Sequence, residues 1–191
     1  RRLPRVSEIS DSKPMQSAPS SERVHIAIFG RCNAGKSTLV NRLTGQDVAI
    51  VSPVAGTTTD PVQKAIEING LGAAILIDTP GLDDNTLLGA ERVARSAKVL
   101  DKTDIAIILF TEAGGENELR LMEECRIREI PTLIALAHID RLENHESIKE
   151  ELARVTNRDV VAISALTGEG IEELTKAIVA IRPAEERLIT E

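Results

Sequence analysis

The sequence predicts an α/β domain in which a mostly parallel six-stranded sheet carries helices on both faces. Three observations predict it. Short, wholly apolar runs recur along the chain, as expected of strands buried on both sides. Segments with a helical period separate most of these runs, which is how parallel strands are connected. The first run also breaks into a glycine-bracketed loop that leads directly into a helical pattern.

Taken in order, Val24–Phe29 reads as a buried strand and residues 37–43 as the helix that follows the loop. Val62–Ile68 alternates as a half-exposed strand, Asn69-Gly70 makes a turn, and residues 73–77 form a fully apolar strand, which supplies one antiparallel edge. A helix over residues 87–100 precedes a buried strand over residues 104–110. Glu116–Ile127 reads as a helix with charges on its exposed face, and residues 132–137 and 160–163 as the last two strands. The amphipathic Ile171–Ile181 closes the domain.

A chain of 191 residues suits one domain with a short appendage, here expected as a folded unit over 22–182 and a charged tail over 183–191 leading toward a downstream domain. Residues 1–21 are rich in Ser, Pro and charge without a sustained period, and read as a disordered leader or linker. Arg1, Arg2 and Arg5 among serines suggest organellar targeting only weakly, because Glu8 and Asp11 oppose it. The net charge of −7 argues against a broad basic surface, and Phe29 and Phe110 are the only aromatic residues, so nucleic acid is a poor candidate partner. Cys32 and Cys125 fit neither a metal-ligand spacing nor a disulfide framework, which points to the cytoplasm or another reducing compartment. No apolar run approaches the ~20 residues of a membrane-spanning helix.

Chemistry concentrates in Gly30-Arg31-Cys32-Asn33-Ala34-Gly35-Lys36-Ser37. Gly30 and Gly35 allow backbone angles that a Cβ would obstruct, so successive N–H groups can turn toward one anion at the positive end of a helix. Lys36 then reaches the β and γ phosphates of a nucleotide, and Ser37 offers Mg²⁺ a hydroxyl. The threonine cluster near residue 58 suits a γ-phosphate sensor, with Thr58 as a second Mg²⁺ hydroxyl. Asp78 ends a buried strand, where it can hold a Mg²⁺-bound water, and Gly81 lets a backbone N–H approach the γ phosphate. Asn33 has two readings, a residue that tolerates left-handed backbone or a ligand.

In this order the motifs resemble the translation-factor-like branch of the Ras-like P-loop GTPases, and Asn33 to Ser37 with Ala55-Gly56-Thr57-Thr58 resemble its potassium-activated group, which includes Era, Der and MnmE. The resemblance implies a Mg²⁺-dependent, K⁺-stimulated GTPase of slow turnover. K⁺ would be held by the side chains of Asn33 and Thr57 and the backbone oxygens of Ser52 and Val54. GTP or GDP would be bound by Asn33, Ala34, Gly35, Lys36, Ser37 and Thr38, by Ser52, Thr57 and Thr58, and by Asp78, Thr79, Pro80 and Gly81. The base would meet His138, Asp140, Ser164, Ala165 and Leu166. Lys36, Asn33, Thr58 and Gly81 would carry the hydrolysis.

Two departures stand out. Leu82 occupies the position where Ras-type proteins have a water-orienting Gln, and neighbouring Asp83, Asp84 and Glu91 read as a solvated acidic stretch. Ala137-His138-Ile139-Asp140 keeps the Asp of the family's Asn-Lys-x-Asp purine reader but neither partner, with His138 open to stacking on the base or to an ordinary surface role. Within the group, Gly56-Thr57-Thr58-Thr59-Asp60-Pro61-Val62 and Lys98-Val99-Leu100-Asp101-Lys102-Thr103-Asp104 resemble HydF, the FeFe-hydrogenase maturation GTPase. That resemblance implies downstream dimerisation and iron–sulfur domains, hydrogenase maturation proteins as partners, and no iron–sulfur cluster on this segment. The alternatives are an Era/MnmE-like GTPase serving RNA, and a nucleotide-binding scaffold that hydrolyses little.

Overall fold

The computed structural model describes residues 23–45, 62–82 and 89–182. In chain order the elements are β1 (Val24–Phe29), α1 (Lys36–Leu43), β2 (Val62–Ile68), β3 (Gly72–Asp78), α2 (Gly89–Asp101), β4 (Ile105–Phe110), α3 (Glu116–Ile127), β5 (Thr132–Leu136), α4 (His145–Thr156), β6 (Val160–Ala162) and α5 (Ile171–Ile181). The strands form one sheet in the order β2-β3-β1-β4-β5-β6. Every neighbouring pair is parallel except β2 with β3, as the alternating pattern and the Asn69-Gly70 turn require.

Strand β4 shows why the sheet is layered on both sides. All six of its residues are buried. Ile105, Ile107 and Leu109 point to one face, where they join Leu39 and Val40 of α1 and Leu174 and Ile178 of α5. Ala106, Ile108 and Phe110 point to the other, where they meet Val99 of α2, Leu121 and Cys125 of α3, and Leu152 of α4. The two-residue strand period thus builds two cores, one under α1 and α5 and one under α2, α3 and α4.

Besides a short 3-10 turn at Ile139–Arg141, helix α4 is the element missing from the expectation. Its buried stripe is thin, Leu152 and Thr156 with half-buried Ile148 beside them, while most other positions are exposed and many are charged. Those three residues nevertheless keep the i, i+4, i+8 spacing of a helix face. Elsewhere the elements agree with the expectation to within a residue or two, among the described residues.

Strand β1 lies between β3 and β4, so the chain departs from it first to one side and then to the other. A crevice opens at the carboxyl end of a strand in this position. The segments after β1, β3, β5 and β6 converge on this edge, whereas His25 lies at the start of β1, where its backbone N–H donates to Asp104 Oδ2 at 2.8 Å.

Leu152→Ala removes a fully buried side chain from under α4. It is expected to lower stability by about 2–5 kcal/mol in urea denaturation. A loss below about 0.5 kcal/mol would show that α4 does not pack on the sheet.

Candidate functional site

The loop after β1 is shaped by crowding as much as by conformational freedom. A Cβ on Gly30 would stand 3.0 Å from Ala34 Cβ and 3.2 Å from the backbone oxygen of Leu109 on β4. Gly30 itself is outside the left-handed region, so lack of room, rather than the special backbone angle expected of it, favours glycine there. Gly35 does take a positive φ of 90° as the N-cap of α1, and Asn33 takes φ 62°. The left-handed reading of Asn33 is therefore correct for its backbone, whatever its side chain ligates.

Lys36 is 8% exposed, and its Nζ donates to the carbonyls of Gly30 at 3.0 Å and Arg31 at 2.5 Å. Ser37 Oγ donates to Asp78 Oδ2 at 2.6 Å, a contact set up by the β1–β3 register that pairs Ile28 with Asp78. A hydroxyl and a carboxylate side by side offer hard oxygens, the donor type that Mg²⁺ takes. Among the described residues no three His, Cys, Asp or Glu side chains converge on a metal position. Such a site suits a cation that draws most of its ligands from water and phosphate.

The segment after β3 is stitched to this loop. The N–H of Leu82 donates to the Gly30 carbonyl at 3.0 Å. A Cβ on Gly81 would collide with the Sγ of Cys32 and stand 2.7 Å from its backbone nitrogen, so only glycine permits the approach. Thr79 is buried with its hydroxyl donating to the Ile28 carbonyl at 2.7 Å, so it ties the segment to β1 rather than facing the crevice. Leu82 packs against the core under α2, α3 and α4, an apolar contact that gives it no means of orienting water. Ser52, Val54, Thr57 and Thr58, with Asp83 and Asp84, lie outside the described residues.

The loops after β5 and β6 form the other end of the crevice. Asp140 and Ala165 line one open cavity with Ala34, Thr38, His138 and Leu166, which places the expected base-contacting residues beside the expected phosphate-binding ones. Buried Ser164 donates from Oγ to Asp140 Oδ1 at 2.8 Å, fixing the carboxylate. His138 adopts φ 59°, and its Nε2 lies 2.7 Å from the Asn33 carbonyl. A carbonyl only accepts, so Nε2 carries the proton of this bond. The ring also lies over Gly35, where a Cβ would stand 3.2 Å from its Cε1. His138 thus joins the loop after β5 to the loop after β1, a role that neither sequence reading gave it.

Other supports were not legible at all. Arg31 Nε donates to Glu118 Oε1 at 2.7 Å, and its Nη2 lies 2.8 Å from Glu112 Oε1, anchoring the phosphate loop to α3 and the end of β4. Burial opposes the Arg31 charge, but the Glu118 and Glu112 carboxylates outweigh it and hold the guanidinium pKa above its ordinary value. Glu118 is 1% exposed, and its second oxygen meets no hydrogen-bond partner among the described residues, so the Arg31 pair is what makes its burial tolerable. Arg42 of α1 grips the loop after β6 in a similar way.

The model of the 50S ribosome-binding GTPase family matches residues 25–163, and the chain belongs to that family. It is 36% identical over 159 residues to the tRNA modification GTPase MnmE of Thermotoga petrophila, covering 80% of this chain and 34% of that protein. It thus spans about a third of the length of the curated relatives it matches. Among solved structures it is similar to Era in complex with MgGDPNP and nucleotides 1506–1542 of 16S ribosomal RNA, with TM-score 0.68 and 28% identity over 84% of this chain and 57% of that one. It is also similar to the FeoB G-domain of Methanococcus jannaschii, with TM-score 0.59 and 27% identity over 83% of this chain and 97% of that one. The chain is therefore a GTP-binding, GTP-hydrolysing G domain of the Era/MnmE/FeoB type. The expectation against nucleic acid loses force, because one such relative is bound to RNA.

The two thiols are expected to react very differently. Cys32 is exposed on the phosphate loop, whereas Cys125 is fully buried and burial pushes its pKa above the ordinary thiol range. Ellman's reagent should modify Cys32 in the native chain and Cys125 only after denaturation, and saturating GTP should slow the Cys32 reaction. Equal rates for both thiols, or no protection by GTP, would contradict this placement.

Proposed function

We propose that this chain is the nucleotide switch of a longer RNA-modifying protein of the MnmE type, over residues 22–182, with 1–21 as a leader and 183–191 as a tail. The single observation that supports the nucleotide switch is the Ser37–Asp78 contact at 2.6 Å at the start of the helix that buried Lys36 opens, oxygens suited to a cation and a charge suited to phosphate. The relatives support the RNA assignment over hydrogenase maturation, since curated relatives 34–36% identical to the chain are tRNA modification GTPases.

In this reading Lys36 exchanges the carbonyls of Gly30 and Arg31 for phosphate oxygens, and the loop N–H groups from Ala34 to Thr38 take the rest of the phosphate charge. Gly81 brings a backbone N–H toward the same place. Ser37, Thr58 and Asp78 would hold Mg²⁺, the last through water, while Asn33, Ser52, Val54 and Thr57 would hold K⁺. When bound, these cations would supply positive charge where the γ phosphate separates from the β phosphate. Asp140 accepts from the guanine edge, oriented by Ser164, while His138 braces the loop on Asn33. With leucine at 82, attack by water depends on a polar group other than this side chain.

Phosphate release from GTP in matched KCl and NaCl buffers, with Mg²⁺ and with ATP as control, tests the cation assignment. K⁺ should stimulate release from GTP alone. Asn33→Gly, chosen because glycine accepts the positive φ, should abolish the stimulation while GTP still binds. An unchanged K⁺ response would remove Asn33 from the cation site, and GTP binding without release in either salt would support a scaffold.

A second reading rests on a specific observation, the HydF-like spelling of residues 56–62 and 98–104. The longer protein, purified anaerobically, separates the two. Retention of tRNA in a gel-shift assay with no iron bound is the expected result. Stoichiometric iron and no tRNA affinity would transfer the domain to hydrogenase maturation.

A further inference from the structure

Arg42, the penultimate residue of α1, reaches across to the loop after β6 and makes two bonds there. Its Nε donates to the Ala165 carbonyl at 2.9 Å and its Nη2 to the Leu166 carbonyl at 2.5 Å. The guanidinium also lies against Gly168, where a Cβ would stand 3.5 Å from Nη1. A rigid planar fork on two successive carbonyls fixes the orientation of both peptide planes.

That orientation has a consequence on the opposite side of the loop. Across a trans peptide, the carbonyl and the N–H that follows it point in opposite directions, and no cis peptide occurs among the described residues. Holding the Leu166 carbonyl toward Arg42 turns the Thr167 N–H away, and Ser164 Oγ accepts it at 3.1 Å. Holding the Ala165 carbonyl toward Arg42 likewise turns the Leu166 N–H away from α1. No described residue accepts that N–H, and Leu166 lines the cavity together with Asp140. Ser164 itself holds Asp140 by donating its hydroxyl proton, a bond that does not pass through Arg42.

We propose that Arg42 is a specificity-positioning residue: its two bonds aim the Leu166 N–H at the six-position oxygen of guanine and thereby set the preference for guanine over adenine. Adenine carries an amino group there, so donor would meet donor. Arg42 touches neither base nor phosphate and acts through the loop. The proposal rests on the assignment of the 164–168 loop to the base, and the test separates the two.

Affinities of the full chain for GDP, IDP and ADP are measured by titration calorimetry for the parent and for Arg42→Met, which keeps an apolar stem without donors. GDP and IDP share the six-position oxygen and differ in the two-amino group, so their ratio reports on Asp140, whereas the GDP-to-ADP ratio reports on the loop N–H. Arg42→Met should narrow the GDP-to-ADP ratio by about threefold to tenfold, the effect of one lost hydrogen bond, and leave the GDP-to-IDP ratio unchanged. A brace without a role in selection would weaken all three by the same factor, and that result overturns the proposal. If Arg42→Met does not fold, Arg42→Lys decides, since one ammonium lacks the two-point fork. It should narrow the GDP-to-ADP ratio by at least about twofold, and an unchanged ratio overturns the proposal. A parent chain that does not prefer GDP to ADP would instead defeat the assignment of the loop to the base.

Discussion

A buried lysine, 8% exposed as a residue, is the constraint on which the rest of the site depends. A charge held away from water is tolerated only when oxygen surrounds it, and among the described residues the carbonyls of Gly30 and Arg31 in its own loop accept from Lys36. The loop must therefore wrap around the side chain, which needs room at Gly30 and a reversed backbone at Asn33 and Gly35. Everything else in the crevice is fastened to that wrapped loop. Leu82 holds it from β3, Arg31 ties it to α3, and His138 meets it from the purine side.

The sheet makes this fastening possible because it delivers all these segments to one edge. Placing β1 between β3 and β4 sets Asp78 beside the start of the phosphate loop by register alone. The β5 and β6 strands bring Asp140 and Ser164 close enough to bond directly. None of this requires long irregular chain among the described residues, and the two apolar cores on either side of the sheet hold the edge rigid.

Legibility in the sequence followed the range of the interaction. Strands buried on both faces announce themselves as apolar runs, and the phosphate loop, Asp78 and Gly81 lie within motifs whose spacing is local. Helix α4 escaped because its buried stripe reduces to Ile148, Leu152 and Thr156 among exposed and charged neighbours. The sequence suggests a conformational role for Gly30 because it does not show that Leu109 presses against it. Arg31 and Glu118 are 87 residues apart, and Arg42 and Ala165 are 123 apart, so no local pattern couples either pair. The net charge is likewise a sum that says nothing of how Arg31 and Lys36 sit in one loop of an acidic chain.

The bond from His138 to the Asn33 carbonyl has a kinetic meaning. It makes the two halves of the crevice a single mechanical unit, with the imidazole as its hinge pin. A motion that swings the purine loop outward must either break that bond or drag the Asn33 peptide with it, and so disturb the phosphate grip. The loops after β1 and β5 are thus mechanically linked at this one point.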